Sequence, residues 1–267
     1  VMSYEAGLGD HKFYGNTIIV NGTVGPYKEV PNGWVRFRIL NGSNARFYDL
    51  QFDDKREFYV IATEGGFLNA PVPESNFQVW PGERYEILVD FSDSSTIFLT
   101  ATDPENGRDQ PFNIIELRPV ENSEAIVSLP QTLNNIQSYN SQDVVNTRNF
   151  NLQMDGVTGG MMGINGVAMN MEMINERINI GELERWVIEA QGEHPFHMHG
   201  ASFLIESLDG NTIPLYARGW KDVVKVNAQA VILIKFDHLA NDDAPYMYHC
   251  HILEHEDMGM MGQFTVE

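Results

Sequence analysis

Six of the eight histidines in this 267-residue chain fall in two short segments. One reads His194-Pro195-Phe196-His197-Met198-His199. The other reads His249-Cys250-His251-Ile252-Leu253-Glu254-His255 and is followed by Met260. Four residues separate Cys250 from His255, and four more separate His255 from Met260. A thiolate and two imidazoles in one plane, with a thioether as a long axial donor, form the donor set of a blue copper centre. Cys250, His255 and Met260 supply three of these donors, and His194 is the candidate for the second imidazole. The competing reading is an inert buried cysteine among satisfied histidines. The regular spacing and the second histidine-rich segment favour the metal.

The flanking histidines add a second layer. Successive side chains of a strand point to opposite faces. Cys250 therefore faces one way while His249 and His251 face the other, a few covalent bonds away. His197 and His199 are two apart and share a face if extended, and His194 is odd-spaced from both. The pattern predicts one metal on the Cys250 side and imidazoles for another on the far side, joined by a covalent path suited to electron transfer. His11 and His238 lie outside both segments and are assigned no metal. Six methionines between Met154 and Met173 offer soft donors for Cu(I), although flexible packing accounts for them slightly better.

Strands must carry these groups. Trp34–Ile39 alternates apolar and polar residues, Tyr85–Phe91 has a central apolar run, and Val231–Phe236 is mostly apolar. Turn dipeptides separate the runs: Asn21-Gly22, Asn32-Gly33, Asn41-Gly42, Pro81-Gly82 and Asp209-Gly210. Ile19-Val20-Asn21-Gly22 precedes Trp34-Val35, and Ile164-Asn165-Gly166 precedes Trp186-Val187, a weak internal repeat. The expectation is an all-β chain of two similar sandwiches, residues 1–118 and 146–267, joined by a polar linker over 119–145. One cysteine excludes an internal disulfide. A formal charge of −20 argues against a nucleic-acid partner, and no run of 18 apolar residues suggests a membrane span.

The two segments resemble the C-terminal motifs of multicopper oxidases, H-P-x-H-x-H and H-C-H-x3-H-x4-M. Gly15–Gly22, Arg38–Asn41 and Glu83–Glu86 are similar to the family's second domain, and Arg218–Asp222 to its third. The resemblance implies two cupredoxin-like Greek-key β-sandwich domains, with a type 1 copper held by His194, Cys250, His255 and Met260. It assigns His197 to a type 2 copper and His199, His249 and His251 to a type 3 pair. It gives Cys250 the electron path and Glu256 a part in proton delivery, against the alternative of a plain surface carboxylate. Asp222 either orients a ligand imidazole or simply starts a strand.

The implied activity is laccase-like: one-electron oxidation of phenolic or aromatic reductants coupled to reduction of O2 to water. The trinuclear cluster of the family takes eight histidines, and this chain offers four. The remaining four are expected from a preceding cupredoxin domain, so the isolated chain is expected to be inactive. The opening Val1-Met2-Ser3 reads as a cut edge, expected of a fragment or of one half of a nicked enzyme. Alternatives are a cuprous oxidase for copper tolerance and a non-catalytic type 1 copper-binding or electron-transfer module. Against the cuprous oxidase, Gln191-Gly192-Glu193 stands where such enzymes carry Asp and Met, and a long Met-rich insert is lacking. A copper nitrite reductase fits poorly, because two histidines flank Cys250. Cell-division relatives that have lost their ligands fit poorly as well, because every C-terminal ligand is retained.

Overall fold

The computed structural model describes residues 12–103, 108–121, 128–157 and 162–267. The chain divides into two units, Tyr14–Asn135 and Ile136–Glu267, with Lys12 and Phe13 belonging to the latter. His11 and Met161 lie outside the described residues. Among the described residues no helix is long and apolar enough to cross a membrane.

Each unit is a β-sandwich. In Tyr14–Asn135, one sheet runs Tyr27–Pro31, Arg108–Val120, Ile97–Asp103, Tyr48–Phe52 and Asn76–Val79. The facing sheet runs Trp34–Leu40, Arg84–Asp90, Phe58–Thr63 and Gly66–Glu74. Phe52, Phe58, Phe77 and Tyr85 fill the space between them edge to face. In Ile136–Glu267, one sheet runs Gly163–Ile164, Asn146–Gln153, Leu183–Ala190, Gln229–Lys235 and Phe203–Leu208. The other runs Glu176–Ile178, Met261–Val266, Tyr246–Cys250, His194–Met198 and Val223–Val226. Strand order departs from chain order in every one of these sheets, the mark of Greek-key connections.

The internal repeat has a structural counterpart. Asn21-Gly22 and Asn165-Gly166 both adopt positive φ at both residues, the tight two-residue turn that suits twisted strands. In both units the outermost strand of one sheet pairs in parallel: Tyr27–Pro31 with Arg108–Val120, and Glu176–Ile178 with Met261–Val266. One difference stands out. Asn146–Gln153 pairs in parallel along Leu183–Ala190, whereas among the described residues no strand pairs along the corresponding edge of Trp34–Leu40. A cavity of about 560 Å³ opens there, lined by Ile19, Phe37, Ile39, Leu50 and Leu117 among others. Asn41-Gly42 is not a tight turn of the same kind. The Asn41 side chain is buried and donates to the carbonyls of Arg46 and Val79.

The core of Ile136–Glu267 is aromatic. Trp186 is fully buried and packs against Phe150, Phe236, Tyr248 and Phe264. Arg148 clasps the two sheets at their edge. Its guanidinium donates to both carboxylate oxygens of Glu184 in the neighbouring strand, at 2.7 and 2.9 Å. It also pairs with Glu176 and donates to the Arg177 carbonyl on the facing sheet. Pairing with both sheets lets this half-buried charge replace its lost hydration.

Candidate metal centre

Antiparallel pairing of His194–Met198 with Tyr246–Cys250 sets the geometry. Phe196 lies opposite Cys250, His197 opposite His249, and Met198 opposite Tyr248. The two-residue period of both strands then sorts the side chains. Phe196, Tyr248 and Cys250 take the interior face with the aromatic core, and all are buried. His197 and His249 take the opposite face.

On the interior face, Cys250 Sγ lies 3.5 Å from His194 Nδ1 and 3.6 Å from His255 Nδ1, and the two ring nitrogens are 3.2 Å apart. The turn Ile252–His255 returns His255 to Cys250: the Ile252 N–H points at Sγ, and a one-turn helix, Leu253–Asp257, follows. Met260 has no exposed surface. Its carbonyl accepts from the Cys250 N–H, and its N–H donates to the His255 carbonyl. Burial, aided by the Lys12 charge, lowers His194 to about 4. Burial pushes the Cys250 thiol up to about 12. Without a cation these groups are therefore neutral at pH 7. Two imidazole nitrogens and one sulfur converging in a buried pocket, next to the backbone of the buried Met260, fit a soft transition metal, which would displace the thiol proton.

On the opposite face, His197, His199 and His249 offer nitrogens that all lie within 4.8 Å of one another. The His251 ring is 5.6 Å from the rings of His197 and His249. His197 Nδ1 donates to the Asp222 carbonyl at 2.8 Å, and His249 Nδ1 to the Cys250 carbonyl at 3.0 Å. Protons fixed on Nδ1 leave both Nε2 lone pairs free for a metal. Burial, with weaker repulsion from neighbouring imidazoles, lowers His197 to about 4 and lowers His199 and His251 as well. Glu256 Oε2 sits 3.1 Å from His249 Nδ1. Burial pushes Glu256 upward, but the His249 hydrogen bond and the nearby imidazoles outweigh it and hold the carboxyl below its usual range.

The Asp222 carboxylate is 3.7 Å from His197 Nδ1, so its backbone carbonyl is the nearer partner. His238 is exposed and belongs to neither cluster. Gln191-Gly192-Glu193 leads into the site strand, with Glu193 paired to Lys225. The sequence carries no signal for the Asp222 and Cys250 carbonyls that orient the imidazoles, because every residue has a backbone carbonyl.

Two multicopper oxidase family models match the chain, one over residues 130–267 and the other over 9–116. The chain belongs to the multicopper oxidase family. Curated relatives include the cell division protein FtsP of Sodalis glossinidius, 36% identical over 266 residues, covering 95% of this chain and 55% of the relative. FtsP of Dickeya dadantii is 34% identical, covering 96% and 56%. The chain thus spans about half the length of the curated relatives it matches. Among solved structures, a laccase-like multicopper oxidase from the lignin-degrading Ochrobactrum sp. matches with TM-score 0.92 and 36% identity, covering 99% of this chain and 63% of that one. The McoA multicopper oxidase of Aquifex aeolicus matches with TM-score 0.84 and 31% identity, covering 96% and 60%. Both sandwiches are cupredoxin-like.

Proposed function

We propose that this chain is the copper-bearing C-terminal part of a laccase-like oxidase, with a type 1 site in the cupredoxin-like domain over residues 146–267. The observation that carries the reading is the convergence of His194, Cys250 and His255 within 3.2–3.6 Å, beside a buried Met260. His194 and His255 would hold the copper through Nδ1, Cys250 through Sγ, and Met260 through its thioether. His197 would serve a type 2 copper, and His199, His249 and His251 a type 3 pair. Four further histidines would come from a preceding cupredoxin domain with two H-x-H motifs. When bound, the copper ions would take single electrons from a phenolic or aromatic reductant and pass them to O2.

The protein's own contribution is positioning. The Asp222 and Cys250 carbonyls fix the protons of His197 and His249 on Nδ1. The His249–Cys250–His251 backbone links the interior face to the outer one by covalent bonds. Glu256, charged and hydrogen-bonded to His249, holds a proton-accepting oxygen beside the outer histidines, as a reaction that consumes protons requires.

Two other readings have specific support. The 34–36% identity to proteins named for cell division supports a non-catalytic role, against which stands the convergence of His194, Cys250 and His255. The methionines of Met162–Met173, two of which donate backbone hydrogen bonds to Met258 and Gly259, offer soft donors that support oxidation of Cu(I). The test is to add Cu(II) to the purified chain. The expected result is blue absorption from the copper–thiolate bond, saturating at about one equivalent and absent in Cys250→Ser. O2 uptake with a phenol or with Cu(I) is expected only once a polypeptide bearing two H-x-H motifs is supplied. A colourless wild type would sink the oxidase reading and leave the cell-division role standing.

A further inference from the structure

Resting on the type 1 reading of the interior site, we infer that the segment Met162–Met173 is a strap that sets the position of the axial Met260 thioether, with Gly259 and Gln263 as its anchor points. The strap meets the Met260 loop from both sides. Before Met260, the Met162 N–H donates to the Met258 carbonyl at 3.1 Å and the Met169 N–H to the Gly259 carbonyl at 3.0 Å. After it, the amide of Gln263, 1% exposed, donates to the carbonyls of Met171 at 2.9 Å and Met173 at 3.0 Å. Asn175 closes the arrangement by exchanging hydrogen bonds with the Gln263 backbone.

The fit at Gly259 is tight for any side chain. Its φ is +102°, and a Cβ there would lie 3.0 Å from Ala168 Cβ, 3.0 Å from the Met162 carbonyl oxygen and 3.3 Å from the Met169 nitrogen. The strap is itself tied down. The Asn165 side chain accepts from the Asn151 N–H and donates to the Asn149 carbonyl, both in the adjacent strand. Met162 and Ile164 are buried.

The need for such a device follows from the ligand. Methionine has three rotatable side-chain bonds and adapts its shape readily. A long, weak axial bond adds little constraint of its own, and the axial interaction tunes the potential of such a site. Met260 is tied on its inner side to Cys250 and His255 by backbone hydrogen bonds. The strap supplies the outer half of the constraint, so Gly259 and Gln263 are positioning residues that act through Met260.

The test uses the copper-loaded protein and two readouts, the visible and EPR spectra of the copper–thiolate site and its reduced fraction in a redox buffer of fixed poise. Gln263→Met keeps the volume and removes both strap donors, and Gly259→Ala crowds the other anchor. Each is expected to change the reduced fraction about threefold or more and to alter the spectrum. Arg148→Lys, in the same unit but remote in role, is expected to lower Tm with spectrum and reduced fraction unchanged. Wild-type spectra and reduced fractions in Gln263→Met would overturn the inference. Should that variant not fold, Gln263→Asn, whose amide is one methylene short, decides by the same criteria. If the wild type takes up no copper, the site reading itself fails. Hydrogen exchange at the Met260 amide of the metal-free protein then judges the strap alone, with faster exchange in the Gln263 variant expected and unchanged exchange overturning it.

Discussion

Replacing Arg148 with Met removes the clasp between the two sheets of Ile136–Glu267 and leaves Glu184 behind. The Glu184 side chain is 1% exposed, and that of Arg148 is 15% exposed. Breaking a buried ion pair by deleting one partner costs about 3–5 kcal/mol. Trp186 Nε1 and Asn146 Nδ2 still donate to Glu184, and water can reach part of the vacated position, so about 3 kcal/mol is expected at pH 7. For a unit of this size the shift in Tm is about 9–15 °C.

The loss carries a pH signature. In the wild type, burial pushes Glu184 upward, but hydrogen bonds from Arg148 and Trp186 outweigh it and hold the carboxyl below its usual range. A carboxyl lowered on folding stabilises the native state above its unfolded pKa, and that contribution fades as pH falls through the folded value. In Arg148→Met burial dominates, Glu184 takes up a proton at higher pH, and its penalty shrinks on acidification. The gap between wild type and variant should therefore narrow by about 1 kcal/mol or more between pH 7 and pH 4. Urea unfolding followed by Trp186 fluorescence measures it, with the transition of Tyr14–Asn135 as an internal reference. A loss below about 1 kcal/mol, or one equal at both pH values, would refute the argument. The double variant Arg148→Met/Glu184→Gln should recover most of the stability, because no buried charge is then left uncompensated.

Glu256→Gln removes the charged partner of His249 and should cost about 0.5–1 kcal/mol at pH 7 in the metal-free protein. Because the Glu256 carboxyl is lowered on folding, that cost should fade as pH falls through the lowered folded value, and a cost independent of pH would count against the pairing. Asp222→Asn should leave the His197 tautomer unchanged, since the backbone carbonyl at 2.8 Å, not the carboxylate at 3.7 Å, accepts the Nδ1 proton. Nitrogen chemical shifts of the His197 ring decide the point, and a proton moved to Nε2 would show that the carboxylate governs it.

The sequence by itself determined the strands, the turns and the grouping of donors. Period-2 alternation in Trp34–Ile39 and the pairs Asn21-Gly22 and Asn165-Gly166 act over a few residues, so local patterns reveal them. The odd spacing of His194 from His197 and His199, and the flanks of Cys250, likewise follow from strand geometry alone. Only the tertiary structure decided how far the donors approach, that Asp222 acts through its carbonyl, and that Met162–Met173 returns to grip Gly259 and Gln263. It also decided that Arg148 reaches across to the facing sheet, and that among the described residues no strand pairs along the edge of Trp34–Leu40 where its counterpart Leu183–Ala190 is paired. These features join residues up to 96 positions apart through backbone carbonyls, which every residue carries, and through packing, which depends on what lies opposite. Residue type and spacing encode neither, because both arise only once the sheets have closed.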